Sequence, residues 1–229
     1  LHSFPTRRSS DLVTFTREGK INSVTGEITY GNWTAKDGDT TFDKVESPVV
    51  QGYILKDAKQ KEVAATTGLT VDSKDENIEV VYTKLGSWVP KVPEGFEEPK
   101  LDKPQYPNDP TDPGKVVDPN KPTDPNEPNK PSGPVIPHIP GTTPKDPEGN
   151  PLKPVDPQDP SKGYVPPTPK TPTENTEIKY EKDTQKATVK YVVEGTNTVL
   201  HTDELEGKSG EAINYSTADK LADLRKLGY

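Results

Sequence analysis

Histidines are the first side chains of this 229-residue sequence to consider for acid–base or metal chemistry. His138 lies inside a proline-rich stretch, whereas His201 lies on a predicted strand. Neither is expected to meet the other or a nucleophile, so no catalytic triad and no histidine-based metal site is predicted. His201 is interpreted as a half-exposed strand residue.

Carboxylates are abundant, with 37 aspartates and glutamates against 29 lysines and arginines. Most lie in predicted turns and linkers, where nothing would separate their pKa values as paired acid–base catalysis requires. The segment DSKDEN (72–77) lacks the glycine and the terminal glutamate of an EF-hand loop, so it is interpreted as a hairpin turn. Cysteine is absent, which excludes disulfides and thiol chemistry. The sequence therefore predicts no enzyme, no cofactor, and no catalytic or metal-binding residue.

Composition divides the chain into parts. Hydrophobic residues make up 28% of it, the mean hydropathy is −0.92, and 25 of the 27 prolines lie between Pro90 and Pro172. One core through the whole chain is implausible, because the apolar surface is too small to offset the entropy of ordering. The net charge of −8 comes without a basic stripe. Nucleic acid and an anionic membrane surface are therefore poor partners, and no membrane contact is expected.

Prolines recur at every third position over much of residues 87–177, as in the run from Pro119 to Pro140. A polyproline II helix has three residues per turn, and this spacing would align the rings along one edge. We predict an extended, semi-rigid spacer here. A ligand for aromatic-grooved adaptor domains is the alternative, but the flanks lack the arginine that such ligands offer.

A β-rich module is predicted over residues 13–86, with strands in VTFTR and NIEVVYT and a hairpin in INSVTGEITY. Its aromatic side chains are the candidates for stacking against glycans. Trp33, Tyr53 and Tyr82 are expected to face the core, and Trp88 is expected to cap this module. The sequence singles out no glycan-binding residue.

A second module is predicted over residues 178–229, in the order strand, strand, helix. KATVKYVV and TVLHTDELEG form the strands on either side of an EGTN turn. The helix is expected to begin after Ser216 as its N-cap, and Gly228 suits the position just after its end. The predicted fold class is α+β and mostly β.

Residues 1–12, LHSFPTRRSSDL, match a common short-read sequencing adapter when they are written back into codons. They carry no apolar run and no small-residue cleavage site, as a signal peptide would. We expect this segment to be a sequencing-adapter artefact that is not native to the protein. The chain is then expected to be a fragment of a longer protein.

Both modules resemble a known family. The first, with VTFTREGKINSVTGEITYGNWT and FDKVESPVVQGYILK, resembles the second half of the mucin-binding (MucBP/Mub-type) repeats of Gram-positive surface adhesins. The second, with GKSGEAINYST, resembles the start of such a repeat, and VDPQDPSKGYVPPTP is similar to the connectors between repeats. The resemblance implies two ubiquitin-like β-grasp modules, the second truncated, joined by a long proline-rich linker.

The resemblance also implies a function. It implies a monomeric adhesin fragment on the bacterial cell surface, anchored to the cell wall in its full-length parent, whose repeats bind mucin or other host glycoproteins. The alternative is a structural stalk that displays an unseen head domain, such as an enzyme, away from the cell wall. Both alternatives fit the same strands and the same spacer.

Overall fold

A computed structural model describes residues 11–99, 104–121 and 131–229. The chain forms two compact units, the first made of Leu1–Lys84 and Pro107–Val116, the second of Leu85–Tyr106 and Val117–Tyr229. The described residues are mostly β, with one α-helix and several small sheets. Most of the predicted adapter segment lies outside the described residues. Its last part does make a contact, because the Asp11 carboxylate accepts a hydrogen bond of 2.7 Å from the backbone N–H of Asp43.

Short antiparallel strands build the first unit. In chain order they are β1 (Phe15–Thr16), β2 (Gly19–Ile21), β3 (Ile28–Tyr30), β4 (Thr34–Ala35), β5 (Val45–Glu46), β6 (Tyr53–Leu55), β7 (Glu62–Val63) and β8 (Tyr82–Lys84). They pair as β1 with β4, β2 with β3, β5 with β7 and β6 with β8. Two 3₁₀ turns, Lys36–Gly38 and Ala58–Lys61, complete the regular structure described in this unit.

The predicted hairpin in INSVTGEITY is confirmed as β2 and β3. Asn22 begins the turn, because its side-chain oxygen accepts from the backbone N–H of Val24 at 3.0 Å. Gly26 ends the turn with a φ of +74°, and its N–H donates to the Asn22 carbonyl at 2.8 Å. The predicted strand in NIEVVYT is shorter than expected. Only the end of this segment forms a strand, β8, which pairs with the three residues of β6.

The core of the first unit is small and depends on a proline-rich segment. Ile54, Leu55 and Leu69 are its buried apolar side chains. Asn108 fixes the backbone beside them, because its amide accepts from the Gly52 N–H at 2.7 Å and donates to the Tyr53 carbonyl at 2.6 Å. A buried amide with both ends paired holds two chain segments in register at little desolvation cost.

A three-stranded sheet forms the centre of the second unit. Its strands are β9 (Trp88–Lys91), β10 (Thr142–Lys145) and β11 (Thr176–Lys182), with β11 in the middle, parallel to β9 and antiparallel to β10. Pro90 and Pro144 both lie on the outer strands. Proline has no N–H to donate to a ladder, so the central position is taken by β11, the strand without proline.

The core of the second unit is made largely from the proline-rich region. Ile178 and Tyr180 point inward from β11, and Trp88 is completely buried. The Trp88 indole N–H donates to the Pro167 carbonyl at 3.0 Å, and its ring packs edge-on against Tyr106 with centroids 4.7 Å apart. Further buried side chains come from the same region: Tyr106, Ile136, Ile139, Pro144, Leu152, Tyr164, Val165 and Pro166.

The structure thus differs from two predictions. The described part of residues 87–177 contributes strands and a core, so an extended spacer is not confirmed there. Trp88 packs inside the second unit and does not act as a cap on the first. The physical reason is that the region carries large apolar side chains, and burying them offsets the cost of ordering the chain around them.

A long hairpin and a helix follow. Strands β12 (Thr184–Val192) and β13 (Val199–Lys208) pair antiparallel, and α1 covers Ala218–Lys226. Thr217 takes the N-cap position, while the predicted cap Ser216 accepts from the Ala218 N–H at 3.2 Å. Gly228 follows the helix with a φ of +91°, as predicted. The order strand, strand, helix is present, whereas a β-grasp fold is not confirmed.

We expect Trp88→Ala to lower the free energy of unfolding of the second unit by about 3–5 kcal/mol, because it empties a fully buried site and leaves the Pro167 carbonyl unpaired. Hydrogen exchange of the β11 amides measures this change. Trp33→Ala, at a site of the first unit that is 45% exposed, is the control and should cost that unit under about 1 kcal/mol, measured by exchange of its β3 amides. Unchanged exchange in Trp88→Ala would favour an extended spacer after all.

Candidate functional site

The two histidines considered for catalysis lie apart in different contacts. His138 stacks on Tyr164 with ring centroids 6.1 Å apart, and its Nδ1 lies 3.3 Å from the Tyr164 hydroxyl. His201 lies on β13 with a side chain that is 36% exposed, and its Nε2 is 2.8 Å from Oδ1 of Asp203. Across the described ranges, no group of three or more histidine or acidic side chains could hold a metal ion.

A hydrogen-bonded chain of side chains surrounds His201. The Tyr215 hydroxyl donates to Oδ2 of Asp203 at 2.6 Å and lies 2.6 Å from the hydroxyl of Tyr191. Tyr191 is buried on β12, and its ring centroid lies 6.0 Å from that of His201. We call Tyr191, His201, Asp203 and Tyr215 the tyrosine–aspartate cluster.

The tyrosine–aspartate cluster ties a loop to the hairpin. Hydrogen bonds from Tyr215, and secondarily from His201, hold the pKa of Asp203 below its usual range. The ionised Asp203 in turn raises the pKa of Tyr215. Ile213 of the same loop packs against Gly207 of β13. A Cβ atom placed on Gly207 would lie 3.0 Å from the Ile213 side chain. Among the described residues, His201 bonds the Asp203 carboxylate, and the hydrogen bonds of the cluster join the loop at Tyr215 to β12 and β13.

An exposed set of rings lies on the first unit. The guanidinium carbon of Arg17 lies 3.9 Å from the Tyr30 ring centroid and 4.5 Å from that of Trp33. Tyr30 is 57% exposed and Trp33 is 45% exposed. We call these three residues the aromatic–arginine surface. Cation–π contacts of this kind hold a guanidinium and its rings in a defined arrangement.

Two ladders position the aromatic–arginine surface. Thr16 pairs with Thr34 at the end of the antiparallel β1–β4 ladder. Arg17 follows Thr16 and Trp33 precedes Thr34, so these two residues lie side by side. Gly19 pairs with Tyr30 in the β2–β3 ladder. A Cβ on Gly19 would lie 3.2 Å from the Tyr30 ring, so the ring lies over the space that glycine leaves.

The prediction that Trp33 faces the core is wrong, because its side chain is 45% exposed and its ring lies against the Arg17 guanidinium. Tyr53 and Tyr82 are half-buried on β6 and β8. The Tyr82 hydroxyl donates to the Pro48 carbonyl at 2.7 Å. Both side chains are thus only partly turned to the interior, and Tyr82 has an apolar body that packs and a polar tip with a partner.

Comparison with known proteins gives two family matches. Residues 4–86 match the family model of the Muc B2-like domain, and residues 185–229 match that of the mucin binding domain. The first match begins inside residues 1–12, the segment predicted to be an adapter artefact. No curated protein and no solved structure matches the chain. The aromatic–arginine surface lies within the first match, and the tyrosine–aspartate cluster lies within the second.

We expect Tyr215→Phe to raise the pKa of Asp203 toward its usual range, because the Tyr215 hydrogen bond is the largest cause of the depression. A depressed pKa contributes stability that is present above the unfolded-state pKa and is lost as the pH falls through the folded-state pKa. The variant should therefore lose less stability on acidification. A ¹³C NMR titration of the Asp203 carboxyl measures the pKa.

Lys220→Gln is the control for this titration. It removes the smallest of the charge effects that lower the pKa of Asp203 and leaves the Tyr215 hydroxyl in place. Its effect on the pKa should be the smaller of the two. An identical Asp203 titration in Tyr215→Phe and the parent chain would show that the tyrosine does not hold the carboxylate.

Proposed function

Because the chain is a mucin-binding repeat region, carrying a Muc B2-like domain and a mucin binding domain, we propose that it is part of an adhesin that binds mucin or other host glycoproteins. Mucin-binding domains are binding modules without catalytic activity, and they are typical of extracellular surface proteins. The proposal therefore includes no enzyme activity. It places the protein on the surface of a Gram-positive bacterium, with attachment to the cell wall.

The observation that carries the proposal is the aromatic–arginine surface inside the Muc B2-like match. Tyr30 and Trp33 expose about half of each ring while both are held by Arg17. Buried aromatic rings stabilise a fold, whereas exposed rings on a fixed scaffold offer flat apolar faces to a ligand. The C–H faces of sugar rings are suited to such stacking, and a mucin is densely covered with sugars.

Weak binding at each module is consistent with this surface, because its rings are partly solvated. Several modules on one chain would then raise the effective concentration of the remaining sites once the first is bound. The protein is proposed to act as a monomer whose strength of attachment comes from repeated modules. No helix within the described ranges has the length and apolar character needed to cross a bilayer.

A structural stalk is the second candidate, and one observation favours it. The proline-rich region contributes Trp88, Tyr106 and Ile136 to the core of the second unit, which stiffens that unit. A stiff unit would serve to lift another domain away from the cell wall. In that case the aromatic–arginine surface would have no glycan partner, and the two candidates differ in their behaviour toward mucin.

We expect the 229-residue chain to be retained on immobilised mucin when it is displayed in many copies on a bead, and to bind weakly as a free monomer. Retention should rise steeply with the number of copies per bead, and it should be lost after the mucin is deglycosylated. Beads that carry bovine serum albumin at the same density are the control. No retention at the highest density would favour the stalk.

A further inference from the structure

We propose that the aromatic–arginine surface is a site for anionic saccharides, in which Arg17 pairs with a carboxylate or sulfate group and the Tyr30 and Trp33 rings stack against the sugar. This inference rests on the proposed function, because it assigns the class of sugar that the mucin-binding region takes. It concerns three residues of the first unit.

Arg17 has the contacts expected of a residue that awaits an anionic partner. Within the described residues its guanidinium makes no ion pair and no side-chain hydrogen bond, and it contacts the two rings. The chain nevertheless carries 37 acidic side chains against 29 lysines and arginines. Several lysines of the described residues, including Lys44 in the same unit, do pair with carboxylates. Among the described residues, Arg17 is therefore without an anionic partner although acidic side chains are plentiful.

The N–H donors of the guanidinium are the groups available to an anion. Its carbon lies over the Tyr30 and Trp33 rings, 3.9 Å and 4.5 Å from their centroids, and none of its five coplanar N–H donors is hydrogen-bonded to a described side chain. A planar fork of donors matches a carboxylate or a sulfate with two parallel hydrogen bonds. Contact with two rings also restrains the guanidinium before a ligand arrives, which reduces the entropy lost on binding.

The ring positions suit a sugar beside that anion. Tyr30 and Trp33 contact the same guanidinium, so a group bound at its edge lies next to both rings. Each ring is about half exposed, with 57% for Tyr30 and 45% for Trp33. A saccharide that carries a negative charge satisfies the cation and the apolar faces together, whereas a free inorganic anion satisfies the cation alone. The surface therefore favours a charged sugar over a simple ion.

The experiment titrates the 229-residue chain with three soluble probes: 3′-sialyllactose, N-acetylglucosamine-6-sulfate and neutral lactose. Intrinsic fluorescence follows binding, since the chain has two tryptophans and only Trp33 is exposed, Trp88 being completely buried. We expect a saturable change with one or both anionic probes and at least fivefold weaker binding of lactose. The two anionic probes distinguish a carboxylate from a sulfate ligand.

Arg17→Gln tests the cation, and Lys20→Gln is its matched control. Lys20 is an exposed residue of β2 in the same unit, so its substitution removes one positive charge without removing the stacked guanidinium. We expect Arg17→Gln to weaken binding of the anionic probe about tenfold, corresponding to about 1.4 kcal/mol. Lys20→Gln should stay within twofold. Arg17→Lys keeps the charge but loses the planar fork, so its loss should be intermediate.

Retention on mucin separates this inference from the proposed function. If the parent chain and Arg17→Gln are retained equally on mucin and bind the anionic probes equally, the inference is overturned while mucin binding stands. If the parent chain binds an anionic probe but not mucin, the assignment of the site stands and the adhesin proposal fails. Equal binding of lactose and both anionic probes would also overturn the inference. Circular dichroism of each variant confirms that the unit remains folded.

Discussion

Proline's lack of a backbone donor is the constraint on which the second unit depends. A sheet needs N–H groups on both sides of its central strand, and β11 supplies them because it contains no proline. The proline-bearing strands β9 and β10 lie on either side, where one edge can go without a partner. Around this sheet, rings of proline, tryptophan and tyrosine fill the core, and Trp88 anchors them through its bond to the Pro167 carbonyl.

Local patterns in the sequence were sufficient to predict the short-range structure. Asn22 and Gly26 identify the first hairpin, and alternating residues around Tyr191 identify the last one. Such features depend on neighbours within a few positions, so they survive without knowledge of the rest of the fold. The proline-rich region was not predictable in this way. Its period of three describes the backbone of each short segment, but it does not show that Trp88 and Tyr106 meet β11. Large apolar residues among the prolines were the available signal, since a free spacer has no use for Ile136 or Tyr164.

The candidate sites depend still more on pairs that are distant in sequence. Arg17 meets Trp33 because two strands pair, and the sequence assigned Trp33 to the core because a tryptophan beside a strand is usually buried. Tyr215 reaches Asp203 only after the chain turns back from β13. Both Arg17 and Tyr215 lie in stretches that resemble mucin-binding repeats, but nothing local to either residue identifies its partner. The resemblance to mucin-binding repeats indicated the kind of partner, whereas the positions of individual side chains required the structure.

Parallel pairing of β9 with β11 has a mechanical consequence. The two strands are separated by 84 residues of chain, from 92 to 175, yet they are bonded side by side. A force that pulls the chain before β9 away from the chain after β11 loads all the hydrogen bonds between these two parallel strands in shear. The bonds must therefore break together. The enclosed chain, which includes β10 and buried core side chains, does not carry this load while the ladder is intact. Fully extended, its 84 residues would span on the order of 280 Å at ~3.4 Å per residue. Under fluid flow, this arrangement would absorb a sudden load by lengthening.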